Sequence, residues 1–188
     1  MGNFKFIKTS IKDLYIIQPE IFNDNRGYFI ESYNKEDFYK AGLTMNFIQD
    51  NESKSTEGVL RGLHFQTQNT QGKLVRVIVG EVYDVAVDLR KESPTFGKYE
   101  GIILSQDNKK QLYIPEGFAH GFLVLSKIAI IAYKCTNYYA PKYDSGIIWN
   151  DEDININWPI DNINKLILSE KDKNQKKLKD IEIPFEYK

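Results

Sequence analysis

Leu74-Val75-Arg76-Val77-Ile78-Val79-Gly80-Glu81-Val82-Tyr83-Asp84-Val85-Ala86-Val87-Asp88-Leu89 is a run of β-branched and aliphatic residues with a turn-forming glycine near its centre. Such a run reads as strand. Outward from it the same pattern repeats. Leu14-Tyr15-Ile16-Ile17 stands before Pro19, and Gly27-Tyr28-Phe29-Ile30-Glu31 follows; Ile102-Ile103-Leu104, Gln111 to Ile114, Phe122 to Leu125 and Ile128 to Tyr139 continue the series. That density of short strands predicts an all-β barrel or sandwich. Helix signals are few: Asn34-Lys35-Glu36-Asp37 caps a short helix ending at Gly42, and Ser169-Glu170-Lys171-Asp172 opens a charged one near the C-terminus.

The 188 residues match the usual size of one domain and no Pro/Ser/Gly-rich stretch divides them, so residues 1–188 read as a single folded unit. Lysine plus arginine (25) nearly balance aspartate plus glutamate (26), which argues against a nucleic-acid or membrane surface. An anionic ligand must then be bound by a local basic patch. Met1 to Ser10 lacks the apolar core of a signal peptide and nothing downstream approaches a membrane span, which predicts a cytoplasmic protein. Cys135 is the only cysteine, so no internal disulfide or cysteine-based zinc site is possible, and its thiol fits a reducing compartment.

Two short motifs carry the chain's two histidines. Gly58-Val59-Leu60-Arg61-Gly62-Leu63-His64-Phe65-Gln66 places His64 in an apolar strand near Arg61. An imidazole, which titrates at about 6.5 when unperturbed, can serve there as a base; the other reading is a core histidine satisfied by hydrogen bonds. Pro115-Glu116-Gly117-Phe118-Ala119-His120-Gly121 is a Pro/Gly turn that delivers His120 into the following strand. Its P-x-G-x-x-H form resembles the second motif of the cupin superfamily, small jelly-roll barrels that often bind a metal through histidines. The matching first motif needs two histidines one residue apart plus a carboxylate, whereas this chain offers His64-Phe65-Gln66. Two imidazoles without further ligands make a poor metal site, so the prediction is a site with no metal.

A closer resemblance spans nearly the whole chain. It rests on Arg26-Gly27 with Glu31, Gln49-Asp50-Asn51, the Arg61 to Gln66 run, Gly72-Lys73, and the Gly80 to Arg90 stretch ending in Ser93-Pro94-Thr95. Pro115 to Phe122, Tyr133, Tyr139 with Pro141, Trp149-Asn150-Asp151, Trp158-Pro159 and Ser169-Glu170-Lys171-Asp172 complete it. In that order and spacing these motifs resemble the dTDP-4-dehydrorhamnose 3,5-epimerase family. The resemblance implies a cupin-type jelly-roll barrel with a few short peripheral helices. It also implies a homodimer, whose interface would take in the aromatic and β-branched N-terminal strands of about residues 1–31, since such edges are commonly covered by pairing.

The activity implied is cofactor-independent epimerisation at C3 and C5 of dTDP-4-dehydro-6-deoxy-D-glucose to dTDP-4-dehydro-β-L-rhamnose, in dTDP-L-rhamnose biosynthesis. Both carbons are alpha to the C4 ketone, so losing either proton leaves an enolate. Its chemistry requires a base, a cation or donor at the C4 oxygen, and an acid on the opposite face of the ring. By the resemblance His64 is the base, Lys73 stabilises the enolate, Tyr133 is the acid and Asp172 orients His64. For Asp172 the rival reading is a capping partner of Ser169.

Strand alternation bears on these assignments. In a strand over Ala129 to Tyr139, Tyr133, Cys135, Asn137 and Tyr139 share one side, so Tyr133 can reach a sugar and Tyr139 can offer its ring to the nucleotide. Both tyrosines can instead be amphipathic packing. Alternation also puts Arg61 opposite His64, so a shared ligand requires a bulge or kink at Gly62. Arg26, Arg61 and Lys171 suit a diphosphate. Gln49, Asp50 and Asn51 fit hydrogen bonding to sugar or nucleotide, Glu31 can accept from a hydroxyl or the base, and Asp144 stands where relatives carry a glutamate near the diphosphate sugar. His120 is either a ligand contact or a structural histidine paired with Asp84. Rival functions are a related cupin acting on one centre of a nucleotide 4-keto sugar, a sugar 3,4-ketoisomerase, which Gln66 disfavours, and a non-catalytic nucleotide-sugar binding module.

Overall fold

A computed structural model describes residues 2–161 and 163–187. Its strands are, in chain order, β1 (Phe4–Lys8), β2 (Tyr15–Pro19), β3 (Ile21–Asp24), β4 (Gly27–Ile30), β5 (Gln49–Thr56), β6 (Leu60–Gln66), β7 (Lys73–Val79), β8 (Glu81–Asp88), β9 (Tyr99–Ser105), β10 (Gln111–Ile114), β11 (Phe118–Val124), β12 (Ile128–Cys135) and β13 (Asp144–Gly146). They form a six-stranded sheet in the order β1-β2-β10-β7-β12-β5, a five-stranded sheet in the order β13-β6-β11-β8-β9, and the separate hairpin β3-β4. The neighbours pair antiparallel. The two large sheets enclose the apolar interior of a cupin-type jelly roll.

The run Leu74 to Leu89 crosses between those sheets. Gly80, at φ +80°, ends β7 in one sheet and starts β8 in the other. Alternate residues on both sides of it, Val75, Val77, Val82 and Ala86, then meet in the interior with Leu112, Phe122 and Ile131. The intervening Val85 and Val87 of β8 are buried as well, because the chain from Ile147 to Phe185 lies over the back of the five-stranded sheet with Ile154, Trp158 and Leu178. Burial on both faces explains why β8 reads as a nearly continuous apolar run, whereas edge strand β5, Gln-Asp-Asn-Glu-Ser-Lys-Ser-Thr, is polar.

The two helices agree with their sequence signals. In α1 (Lys35–Lys40) the Asn34 side chain accepts from the backbone N–H of Glu36 and Asp37, and Phe38 buries its ring against Phe4, Phe6 and Tyr33 behind the six-stranded sheet. In α2 (Glu170–Lys173) Ser169 accepts from the N–H of Asp172. No helix among the described residues is long and apolar enough to cross a membrane.

One predicted element is shorter than expected. The strand read over Ile128 to Tyr139 stops at Cys135. Beyond it side-chain amides replace ladder bonds: Gln71 Nε2 donates to Asn137 O, Gln66 Nε2 to Tyr138 O, and the N–H groups of Tyr139 and Ala140 are accepted by Gln49 Oε1 and Gln66 Oε1. Tyr139 therefore sits on a loop, not on the alternating face of β12.

Candidate active site

A cavity of about 350 Å³ opens between the sheets at one end of the barrel. His64 and Gln66 of β6 and His120 of β11 reach it from the five-stranded sheet; Gln49 and Asn51 of β5, Lys73 of β7 and Tyr133 of β12 reach it from the six-stranded sheet. Tyr139, Asp144 and Lys171 stand on the same wall.

His64 is placed by the bulge expected at Gly62. The β11 partners step by two, from His120 to Phe122, while the β6 partners step by three, from His64 to Arg61. Gly62, at φ +130°, also lies where an added Cβ would stand 2.6 Å from Gly121 Cα, so only glycine fits there. The His64 ring then meets α2: Nε2 is 2.5 Å from Asp172 Oδ1. Asp172 Oδ2 in turn accepts from Ser169 Oγ at 2.8 Å. Asp172 thus touches His64 and belongs to the helix cap at once, since the same Ser169 caps the helix and donates to the carboxylate. Burial raises the Asp172 carboxyl, but the His64 contact, Ser169 and the Lys171 charge hold it below the ordinary carboxylate range. As a carboxylate Asp172 can only accept a hydrogen bond, so Nε2–H donates to it, and in that tautomer of the imidazole the free lone pair is on Nδ1.

The Lys73 ammonium has no hydrogen-bond or ion-pair partner among the described residues. Burial pushes it down from the usual lysine range, against the opposing influence of Cys135, Asp84 and Asp144. Tyr133, whose hydroxyl likewise has no partner among the described residues, is pushed up, mainly by burial, and stays a phenol at neutral pH. His120 Nε2 lies 3.0 Å from each oxygen of the buried Asp84, while the ring also lines the cavity, so its structural pairing and its place at the site coexist. Asp144 Oδ2 accepts from Tyr139 OH at 2.9 Å and pairs with Lys171. Gln49 Nε2 donates to Asn51 Oδ1 at 2.9 Å, and Asn51 Nδ2 to Cys135 Sγ.

This places a carboxylate-backed imidazole, an unpaired ammonium and an unpaired phenol around one cavity. A family model described as dTDP-4-dehydrorhamnose 3,5-epimerase matches residues 8–180. The chain belongs to the dTDP-4-dehydrorhamnose 3,5-epimerase family. It is 57% identical over 180 residues to the enzyme of that name from Methanothermobacter thermautotrophicus, covering 96% of this chain and 97% of that one. Its structure is similar to that of the dTDP-6-deoxy-D-glucose-3,5-epimerase of Legionella pneumophila Philadelphia 1 in complex with dTDP-4-keto-L-rhamnose, with a TM-score of 0.94, 49% identity and coverage of 98% and 99% of the two chains. It is also similar to the dTDP-4-dehydrorhamnose 3,5-epimerase of Elizabethkingia anophelis NUHP1, with a TM-score of 0.90, 51% identity and coverage of 95% and 98%.

Four residues expected at the site of this epimerase lie off the cavity wall of their own chain. Arg26 is highly exposed in the β3-β4 hairpin and pairs with Asp24. Glu31 accepts from Asn3 and Asn34. Asp50 pairs with Lys134 on the outer face of the six-stranded sheet. Arg61 is exposed, although its charge draws Tyr133 down against the effect of burial. Conversely, Gln71 and Phe185 line the cavity without having been expected there. Nothing local marks Phe185, which arrives on the C-terminal segment and packs its ring on Phe65.

Proposed function

We propose that this isomerase inverts C3 and C5 of dTDP-4-dehydro-6-deoxy-D-glucose with His64 as base, Tyr133 as acid, Lys73 as the cation at the enolate oxygen and Asp172 as the group that orients the base. The observation that carries the reading is that His64 and Tyr133 enter one cavity from opposite sheets. Inversion needs that opposition: a proton must leave one face of the ring and another must arrive on the other.

His64 Nδ1 takes the proton from C3 or C5, the C–H electron pair forms the double bond to C4, and the ketone oxygen becomes an enolate facing the Lys73 ammonium. The Tyr133 hydroxyl then protonates the same carbon from the far side. Phenolate and imidazolium are reset by solvent, to which the His64 side chain is 31% exposed. Oxidation states do not change overall, so the step needs no redox cofactor. Lys171 and His120 suit the diphosphate and sugar, Gln49 and Asn51 their hydroxyls or the base, Tyr139 a stacking face, and Asp144 holds Tyr139 and Lys171 at the mouth.

The same reading makes the protein a cytoplasmic single-domain homodimer with no nucleic-acid or membrane partner. Arg26 and Glu31 lie off their own cavity, so a role for them in binding requires the cavity of a second copy. The hairpin that carries Arg26 also exposes Phe22 (43%) and Phe29 (66%), an apolar pair suited to burial between copies. Light scattering at micromolar protein should give twice the chain mass; a monomer there overturns the dimer.

Incubation with the 4-keto sugar nucleotide in deuterated water tests the reaction. Deuterium at both C3 and C5 of the L-configured product is the expected result. Deuterium at one carbon only would make this a single-centre epimerase, and none at either would make it a binding module.

A further inference from the structure

Gln66 stands where the cupin motif carries its second histidine, and it reaches the cavity wall although it is only 5% exposed. Its polar atoms are engaged by the chain itself. Nε2 donates to Asn69 O at 2.6 Å and to Tyr138 O at 3.2 Å, and Oε1 accepts from the N–H of Ala140 at 2.8 Å. Two carbonyls and one N–H fix which way the carboxamide points, and both of its own N–H groups are taken.

Two of those bonds bracket Tyr139. Tyr138 and Ala140 are its neighbours on either side, and the Tyr139 N–H between them is accepted by Gln49 Oε1 at 2.9 Å. The ring is held at its far end too: Tyr139 OH donates to Asp144 Oδ2 at 2.9 Å, and Asp144 is the residue paired with Gln66 across the β6–β13 ladder. Gln66 thus meets the Tyr139 backbone through its side chain and the acceptor of the Tyr139 hydroxyl through its strand. Tyr139 itself is 54% exposed, so packing alone does not keep it in place. Without the bonds its ring has to be ordered when a ligand arrives, which costs affinity.

We propose that Gln66 is a positioning residue of this site, whose carboxamide holds Tyr139 at the mouth before any ligand arrives and so pre-forms the face that takes the nucleotide, a role that rests on the stacking face read above for Tyr139.

Gln66→Met keeps the length of the side chain and removes all three bonds. The fold should stand, because other bonds tie the same two loops: Thr136 N to Gly72 O, Gly72 N to Thr136 Oγ1, and Thr70 and Thr136 to the Glu116 carboxylate. Calorimetric titration with dTDP reads the effect in a double-mutant cycle with Tyr139→Ala. Gln66→Met should raise the Kd of dTDP about tenfold in the parent and leave it unchanged in Tyr139→Ala, where no ring remains to be positioned. A Kd unmoved by Gln66→Met, or raised equally in both backgrounds, overturns the proposal. In ligand-free protein labelled with fluorotyrosine, the Tyr139 signal, assigned by its loss in Tyr139→Phe, should move towards that of the free amino acid in Gln66→Met; an unmoved signal overturns the proposal as well. If Tyr139→Ala binds dTDP as the parent does, the nucleotide face is refuted, and the fluorine signal still decides whether Gln66 positions the ring. If Gln66→Met does not fold, Gln66→Asn, one carbon too short to reach all three partners, enters the same cycle; if neither folds, Gln66 is a framework residue and the proposal fails.

Discussion

His64 Nε2 and Asp172 Oδ1 lie 2.5 Å apart although 108 positions separate the two residues in the chain. The contact fixes which ring nitrogen carries the proton, so its loss should cost turnover more than binding. Asp172→Asn should lower kcat about 10²- to 10⁴-fold with KM little changed, and His64→Asn should abolish both inversion and exchange of substrate protons with solvent. Proton NMR of the substrate in deuterated water measures both. Residual exchange in His64→Asn would assign the base elsewhere.

On the roles proposed for His64 and Tyr133, Tyr133→Phe should separate the two proton transfers. The ring and its packing remain, so His64 can still remove a proton and return it to the same face, while delivery from the opposite sheet is lost. Inversion should fall about 10²- to 10⁴-fold and exchange much less. Equal loss of the two would show that Tyr133 is not the acid.

With the role proposed for it above, Lys73 should set the alkaline limit of the reaction. Because burial holds its ammonium below the usual lysine range, it loses its proton at lower pH than a free lysine, and kcat should decline on the alkaline side before about pH 10.4. Lys73→Met should lower kcat about 10²- to 10³-fold and remove that limb from what remains. A pH–kcat profile of both proteins decides it.

Gly62 ties the fold to the site. An alanine there brings a Cβ to 2.6 Å from Gly121 Cα and 3.0 Å from His120 O at a φ of +130°, pressing on the two strands that carry both histidines. Gly62→Ala should destabilise the protein by about 2–5 kcal/mol, as strain and overpacking combine, and lower kcat/KM even where folding is complete. Chemical denaturation and kinetics at low temperature read the two effects; a stable, fully active variant would contradict the bulge geometry.

Asp88 holds the N- and C-terminal segments to the barrel through Arg90. The buried carboxylate accepts from Arg90 N, Nε and Nη2, Ser93 Oγ and Thr95 Oγ1, while Arg90 also reaches Asp13 and the face of Tyr187. Burial raises the Asp88 carboxyl, but these donors more than offset it and hold it below the ordinary range. Its stabilisation is therefore complete above about pH 4 and is lost as the pH falls through the folded value. Asp88→Asn should cost about 3–5 kcal/mol at pH 7 in urea unfolding, and the gap to the parent should narrow in acid. A gap that widens in acid would reverse the assigned sign.

Much of the fold was legible because its signals are local. β-branched runs between turn residues gave the strands, and Asn34 and Ser169 marked helix starts that the structure keeps, since a cap needs only its own first turn. A bulge stands at Gly62, where alternation required one for Arg61 and His64 to share a ligand, yet Arg61 stays exposed and off the cavity wall of its own chain. The end of β12 was not legible: Cys135 stops it because Gln49, Gln66 and Gln71, from distant strands and a loop, take over the backbone groups of residues 137–140.

The sequence by itself determined the strand content, the family and the chemical types at the site, because these depend on residue identity and on spacing along the chain. Tertiary structure alone decided which groups meet: that His64 takes Asp172 while His120 takes Asp84, that Tyr133 faces His64 from the other sheet, and that Arg26 and Glu31 lie off their own cavity. The reason is that each of these relationships depends on strand order and sheet closure. Those are fixed by how the buried faces of the two sheets and their covering segments pack together, a sum over the whole chain that no short stretch contains.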